Sequence, residues 1–265
     1  MATQIAAQMY TLRDHCKTPA EIAQTCAKLK AIGYEAIQAS AAGFATIDAE
    51  TLKKILDDHG LACCATHRSL DQLEDVDAEI AFHEAIGSRY TALGGWGWSG
   101  DETQEQWVEF IDRFSKLASA YEGSSLKIGY HNHSHEFAPF GWADAPENIS
   151  PASTPYTVLE TKLGPAAFFE VDTYWVAHAG ADPAAWLRRL SGRVPAIHMK
   201  DLTINGKREH KMCEVGAGNL NWPAILDAAR DAGVEWYIVE RDEGDLDPFE
   251  SLKISLENLK SWGMS

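Results

Sequence analysis

Eight short apolar runs, each followed by a segment whose apolar residues recur at helical spacing, set the tightest limit on what this chain can fold into. The runs are Ile5 to Tyr10, Tyr34 to Ser40, Leu61 to His67, Tyr90 to Leu93, Lys127 to His133, Ala167 to Asp172, Val194 to His198 and Trp236 to Glu240. The segments between them carry helix punctuation. Thr18-Pro19-Ala20-Glu21 reads as a capping box with proline in the first turn, and that helix closes at Gly33. Asp48 to Gly60, Leu73 to Ile86, Glu102 to Tyr121, Thr157 to Leu163, Asp182-Pro183 to Leu190, Trp222 to Gly233 and Asp247-Pro248 to Leu259 read as the other helices. Strands alternating with helices imply parallel β-α units. Eight units in 265 residues predict a (β/α)8 TIM barrel, one domain spanning residues 1–265. A doubly wound open sheet is the competing architecture. No G-x-G-x-x-G follows the first run, which counts against its dinucleotide-binding form. The stretch Ala138 to Pro155 is long for a connection inside a compact domain and is expected to be a functional or disordered loop.

A TIM barrel carries its chemistry at the C-terminal ends of its strands. Strands one to four end at Gln8-Met9-Tyr10, at Gln38, at His67 and near Trp96 and Trp98. Strands five to eight end at His131-Asn132-His133, Glu170-Val171-Asp172, His198-Met199-Lys200-Asp201 and Glu240-Arg241-Asp242. These last four all end in residue types that ligate metals. Packing explains any one of them; four in succession at one mouth point to a site. Alternate strand residues share a face, so His131, His133 and His135 can point the same way. Asp172 follows Phe168-Phe169, and Glu240 follows Ile238-Val239. A carboxylate in such surroundings is costly to bury without a partner, and a metal ion would supply one. Imidazole and carboxylate donors together suit one divalent ion, Mn2+ foremost, with Zn2+, Co2+ or Fe2+ also suited. Such an ion polarises a carbonyl and stabilises an enediolate, while a nearby carboxylate moves the proton.

Composition narrows the partners. The formal net charge is -16, and no Lys/Arg cluster exceeds Arg188-Arg189, so nucleic acid is not expected. No apolar run approaches the ~20 residues of a membrane span, and the start Met1-Ala2-Thr3-Gln4 lacks the pattern of a signal peptide. The cysteines Cys16, Cys26, Cys63, Cys64 and Cys213 are odd in number and without C-x-x-C spacing, which predicts free thiols and a cytoplasmic location.

The motifs Tyr130-His131-Asn132-His133-Ser134-His135-Glu136-Phe137, Glu170-Val171-Asp172-Thr173-Tyr174-Trp175, Ile197-His198-Met199-Lys200-Asp201 and Val239-Glu240-Arg241-Asp242 resemble those of the xylose-isomerase-like TIM barrels. The subgroup they resemble is the sugar phosphate isomerase/epimerase proteins. Gln8-Met9-Tyr10-Thr11-Leu12-Arg13-Asp14 and Val215-Gly216-Ala217-Gly218-Asn219-Leu220-Asn221-Trp222 fit as well. The resemblance implies a divalent-metal-dependent isomerase or epimerase acting next to a carbonyl of a sugar, keto sugar or cyclitol. It carries over Asp172, His198 and Glu240 as metal ligands. His131 stands where ketose 3-epimerases of the family place a glutamate, and is expected as the fourth ligand. Catalysis falls to Glu240 with His131. His133, Glu136, His67, Lys200 and Trp175 are the expected substrate contacts.

Blander roles stand beside these. His133 can cap a loop, His67 can be a hydrogen-bonded structural histidine, Lys200 can pair with Asp201, and Trp175 can pack in the core. Trp96 and Trp98 can wall a sugar ring. The run Gly94 to Gly100 looks like a mobile loop rather than a phosphate cradle. Histidine in place of glutamate also motivates a lyase or dehydratase, as in the inosose dehydratases. The abasic-site endonucleases share the barrel, but the acidic charge and the lack of further ligands argue against that activity. A homo-oligomer is compatible with the exposed tryptophans.

Overall fold

The computed structural model describes residues 4–140 and 153–264. The strands are β1 (Gln4–Gln8), β2 (Ala36–Ala39), β3 (Ala62–Arg68), β4 (Tyr90–Leu93), β5 (Lys127–His131), β6 (Ala167–Asp172), β7 (Ala196–Met199), β8 (Asp201–Ile204), β9 (His210–Cys213) and β10 (Trp236–Val239). Eight of them close a barrel in the order β1-β10-β7-β6-β5-β4-β3-β2. Every barrel pairing is parallel. The fold is therefore a single-domain (β/α)8 TIM barrel. Much of the expected loop Ala138 to Pro155 lies outside the described residues. No helix among the described residues is long and apolar enough to cross a membrane. All five cysteines are free thiols.

Strand periodicity divides the barrel residues into two sets. Ile5, Ile37, Ile128, Tyr130, Phe169, Val171, Ile197 and Val239 pack outward with the helices in the main core. The other parity, with Ala6, Ala36, Ala92, Phe168, Ala196 and Ile238, forms a separate cluster inside the barrel. The alanines are too small to fill that space, and Phe168 lies across it. A Cβ on Gly129 would stand 2.4 Å from the Phe168 ring, so β5 needs glycine there. The inward set then turns polar toward the C-terminal end: Gln8, Gln38, Glu170, His198, His131, Asp172 and Glu240 are all buried. In β3 the register shifts opposite Ile37/Gln38, which brings both Cys64 and Ala65 into the inner cluster and turns His67 inward.

Several boundaries differ from the sequence pattern for local reasons. β1 stops at Gln8, whose side chain accepts the Tyr10 amide at 3.3 Å and opens the 3-10 turn Met9–His15. β5 stops at His131, because Glu136 folds back to accept the His133 amide at 2.9 Å. The expected helix Leu73 to Ile86 is two, Leu70–Leu73 and Val76–Ile86, since Asp75 caps the second through the Ala78 amide. The hairpin β8–β9 and the helices Ala42–Thr46 and Thr173–His178 are too short to show a period in the sequence.

On the helix Val76–Ile86, His83 is buried against the barrel. Its Nδ1 donates to the Glu79 carbonyl at 2.7 Å, and its Nε2 lies 2.7 Å from the Thr66 hydroxyl of β3. Burial pushes its imidazole down to about 4 from 6.5. The unfolded chain therefore takes up a proton between these two pH values that the folded chain refuses. Stability is full above pH 6.5 and falls toward pH 4, by about 3 kcal/mol from this residue. Denaturant melts across that window are expected to show a shallower pH slope for His83→Gln than for the wild type. Equal slopes would rule the effect out.

Candidate metal centre

The polar inward residues converge at the C-terminal end of the barrel. Ligand atoms of His131, Asp172, His198 and Glu240 all lie within 4.8 Å of one another. Four strands supply them: His131 ends β5, Asp172 ends β6, His198 lies in β7 and Glu240 follows β10. All four are at least 95% buried. His131 Nε2 is 3.3 Å from Asp172 Oδ2, and His198 Nδ1 is 2.7 Å from Glu240 Oε2. Asp172 divides its carboxylate. Oδ1 accepts the Trp175 amide at 3.0 Å and caps the helix Thr173–His178, while Oδ2 faces the cluster.

Buried, unpartnered atoms show whether the group fits an ion. His131 Nδ1, His198 Nδ1 and Glu240 Oε2 are buried without a hydrogen bond. His198 Nδ1 and Glu240 Oε2 stand 2.7 Å apart, and Lys200 Nζ lies 2.7 Å from the same oxygen. Two donors that converge without bonding each other are arranged as ligands are around a common ion. The residues present therefore fit a divalent cation.

A second layer orients the histidines. Glu170 is fully buried between His67 Nε2, 2.5 Å away, and Gln38, which donates to it at 2.7 Å. His198 Nε2 lies 2.6 Å from Gln38 Oε1, which also accepts from Gln8 at 2.7 Å. Since that oxygen only accepts, His198 presents an N–H to it from Nε2 and turns Nδ1 to the cluster. A carboxylate and an amide behind a ligand histidine fix its tautomer and tilt. Burial alone would push His198 down; Glu170 and Glu240 outweigh it and hold His198 well above its ordinary value. Burial would likewise raise Glu170, but His198 and His67 hold it well below the usual carboxylate range. This is the field of a site short of positive charge.

Lys200 is the single ammonium there. It is buried, with Nζ 3.1 Å from Asp172, 2.7 Å from Glu240 and 2.8 Å from Asp242. Burial would push it down, and those three carboxylates instead hold it well above its ordinary value. Burial and Glu240 push Asp242 up to about 7, against the pull of Lys200.

Above the cluster opens a cavity of about 820 Å3, lined by Tyr10, His67, Trp98, His133, Trp175, Lys200, Glu240 and Asp242 among others. The His133 ring lies between Trp98 and Trp175, with centroids 4.7 and 5.2 Å away. Trp98 is 64% exposed at the rim. Trp96 stacks on Phe110 at 4.5 Å, so its ring packs in the wall.

Two expectations need correcting. Glu136 is not among the cavity-lining residues. It is fully buried, accepts from Tyr130 and from the His133 amide at 2.9 Å each, and so positions His133. Lys200 does not pair with Asp201, which instead takes the amides of Gly216 and Gly218 and the Trp222 indole at 2.9, 3.1 and 2.6 Å. His67 both lines the cavity and bonds Glu170. Gln8, Gln38 and Asp242 stand at strand ends in the sequence, with no role assigned to them there. Their signal was strand parity: Gln38 points with Ala36, and Asp242 with Glu240.

The profile of the xylose isomerase-like TIM barrel family matches residues 26–262, and the chain belongs to that family. Among solved structures, a sugar phosphate isomerase/epimerase from Parabacteroides distasonis is similar with a TM-score of 0.78 at 21% identity, over 98% of this chain and 94% of that one. The probable 3-DHS dehydratase AsbF from Bacillus anthracis is similar with a TM-score of 0.69 at 16% identity, over 97% of this chain and 99% of that one. An IolI protein with a bound zinc atom gives 0.69 at 12% identity, over 97% of each chain. Identities this low carry the fold and not the reaction. No curated protein sequence matches the chain.

Removing the ammonium beside Asp172 and Glu240 removes a repulsion on any incoming cation. Lys200→Met is expected to bind Mn2+ roughly tenfold or more tightly than the wild type by calorimetric titration. Equal or weaker binding by a folded variant would show that Lys200 does not oppose the ion.

Proposed function

We propose that the protein is a divalent-metal-dependent isomerase or epimerase that moves a proton next to the carbonyl of a sugar, keto sugar or cyclitol. The observation that carries this reading is the convergence of His131, Asp172, His198 and Glu240 on one point in the floor of the cavity. A divalent ion held by these four would supply Lewis acidity toward the oxygens of a substrate carbonyl. The chain supplies the rest. Glu240 faces the cavity and takes the proton from the carbon beside the carbonyl, and the electron pair of that C–H bond moves into the carbonyl oxygen. Returning that proton to the former carbonyl carbon, while the hydroxyl proton of the first carbon shifts to the former carbonyl oxygen, isomerises the sugar. Epimerisation leaves the abstracted proton on Glu240 and adds a second proton from His131 or His133 to the opposite face of the same carbon, both groups exchanging with water before the next turnover. Lys200 holds the Glu240 carboxylate in place. Trp175, Trp98 and His133 wall the ring.

A second reading rests on the β5 position. His131 stands there instead of a carboxylate, so acid and base are unlike groups, which suits loss of water or of an aglycone from a keto sugar.

Incubating the Mn2+-loaded protein with ketoses, keto sugars and inososes in deuterated water separates the two. Deuterium on carbon with the formula otherwise conserved is expected. Loss of water or an aglycone would select the lyase, and neither outcome with any substrate would sink both readings. Glu240→Gln is expected to lower the exchange rate about a thousandfold.

A further inference from the structure

Sites for phosphorylated sugars hold the phosphate with free cations or with free backbone N–H groups. The mouth of this barrel has such parts, and among the described residues the chain fills those around the cavity with its own groups. TIM barrels frequently bind phosphate in the loops after the seventh and eighth strands. Here the amides of Gly216, Gly218 and Leu220 in that region converge on the Asp201 carboxylate, at 2.9, 3.1 and 3.3 Å. A Cβ on Gly218 would meet Asp201 at 2.3 Å, so the loop is closed tightly over that carboxylate. The glycine-rich loop after β4 is filled in the same way, with Glu102 taking the amides of Ser99 and Gly100 at 2.9 and 3.0 Å.

The cations follow suit. Among the described residues, the lysines and arginines that line the cavity are Arg68 and Lys200. Arg68 is held by Glu79 at 2.8 Å, and Lys200 by its three carboxylates. Beside the mouth, Arg13 donates to the carbonyls of Tyr10 and Asp242 at 3.0 and 2.8 Å. Arg241 is held by Glu214 and by the Leu246 carbonyl. Residues 141–152 contain no lysine or arginine, and the net charge of -16 disfavours approach of a dianion.

What the wall offers is suited to hydroxyls. Trp175 Nε1 and His133 Nδ1 are buried and unpartnered on cavity-lining residues, and each can make one neutral hydrogen bond to a ligand. The exposed Trp98 ring offers an aromatic face to the C–H side of a sugar.

We infer that the site selects an uncharged sugar or cyclitol and rejects its phosphate esters, an inference that rests on the sugar reading above and narrows it. Calorimetry on the Mn2+-loaded protein tests it with matched pairs: D-fructose and D-fructose 6-phosphate, D-glucose and D-glucose 6-phosphate, myo-inositol and myo-inositol 1-phosphate. At least one uncharged member is expected to bind roughly tenfold or more tightly than its ester, with inorganic phosphate failing to compete. Trp98→Ala is expected to weaken that binding with Mn2+ content unchanged. An ester binding as tightly as its parent, or no uncharged member binding, overturns the inference. Binding without deuterium exchange would leave this inference standing and sink the isomerase reading. Exchange on an ester alone would do the reverse.

Discussion

A shortage of positive charge at the mouth of the barrel governs the rest of this structure. Glu170, Asp172, Glu240 and Asp242 converge there, buried or nearly so, and Lys200 is the one lysine or arginine among them. Buried carboxylates are tolerated only when paired or bound to a cation. The histidines are enlisted in part, with His198 and His67 lying against Glu170. A dication seated among His131, Asp172, His198 and Glu240 would bring the group close to balance. It would also give His198 Nδ1 and Glu240 Oε2 a common partner.

The scaffold makes this arrangement possible by dividing labour along each inward-facing row. In β6 the row runs Phe168, Glu170, Asp172: a ring that plugs the barrel, a carboxylate that orients two histidines, and a carboxylate that faces the cluster. In β7 it runs Ala196, His198 and on to Lys200. The small residues below leave room for Phe168, and Phe168 closes the interior beneath the polar layers. Water is thereby kept from the underside of the site, where it would weaken every charge interaction above.

The sequence made the barrel and the corner residues legible because both rest on local signals. Periodicity switches between strand and helix, and polar residues end four successive strands. His131, Asp172, His198 and Glu240 stood out as costly residues at the ends of apolar runs. Gln8 and Gln38 did not, since an amide in an alanine-rich strand looks like any surface residue until the barrel closes around it. The Lys200–Asp242 pair joins residues 42 positions apart and follows from barrel closure alone. Glu136 was misplaced for a similar reason. Its acceptance of the His133 amide depends on a tight turn that ends β5 early, and no periodicity announces that turn. The same holds for Asp201, whose partners lie 15 to 21 residues further on.

These elements bring together a His/Asp/Glu group able to hold a cation and, beside it, loop amides already taken by the chain's own carboxylates. The central claim is the ion and its four ligands. Anomalous scattering from a crystal grown with Mn2+ tests it most directly. The account predicts one peak bonded to His131, Asp172, His198 and Glu240, with Lys200 drawn off toward Asp242. An ion bound elsewhere, or an empty cluster with Lys200 still lodged between Asp172 and Glu240, would contradict it.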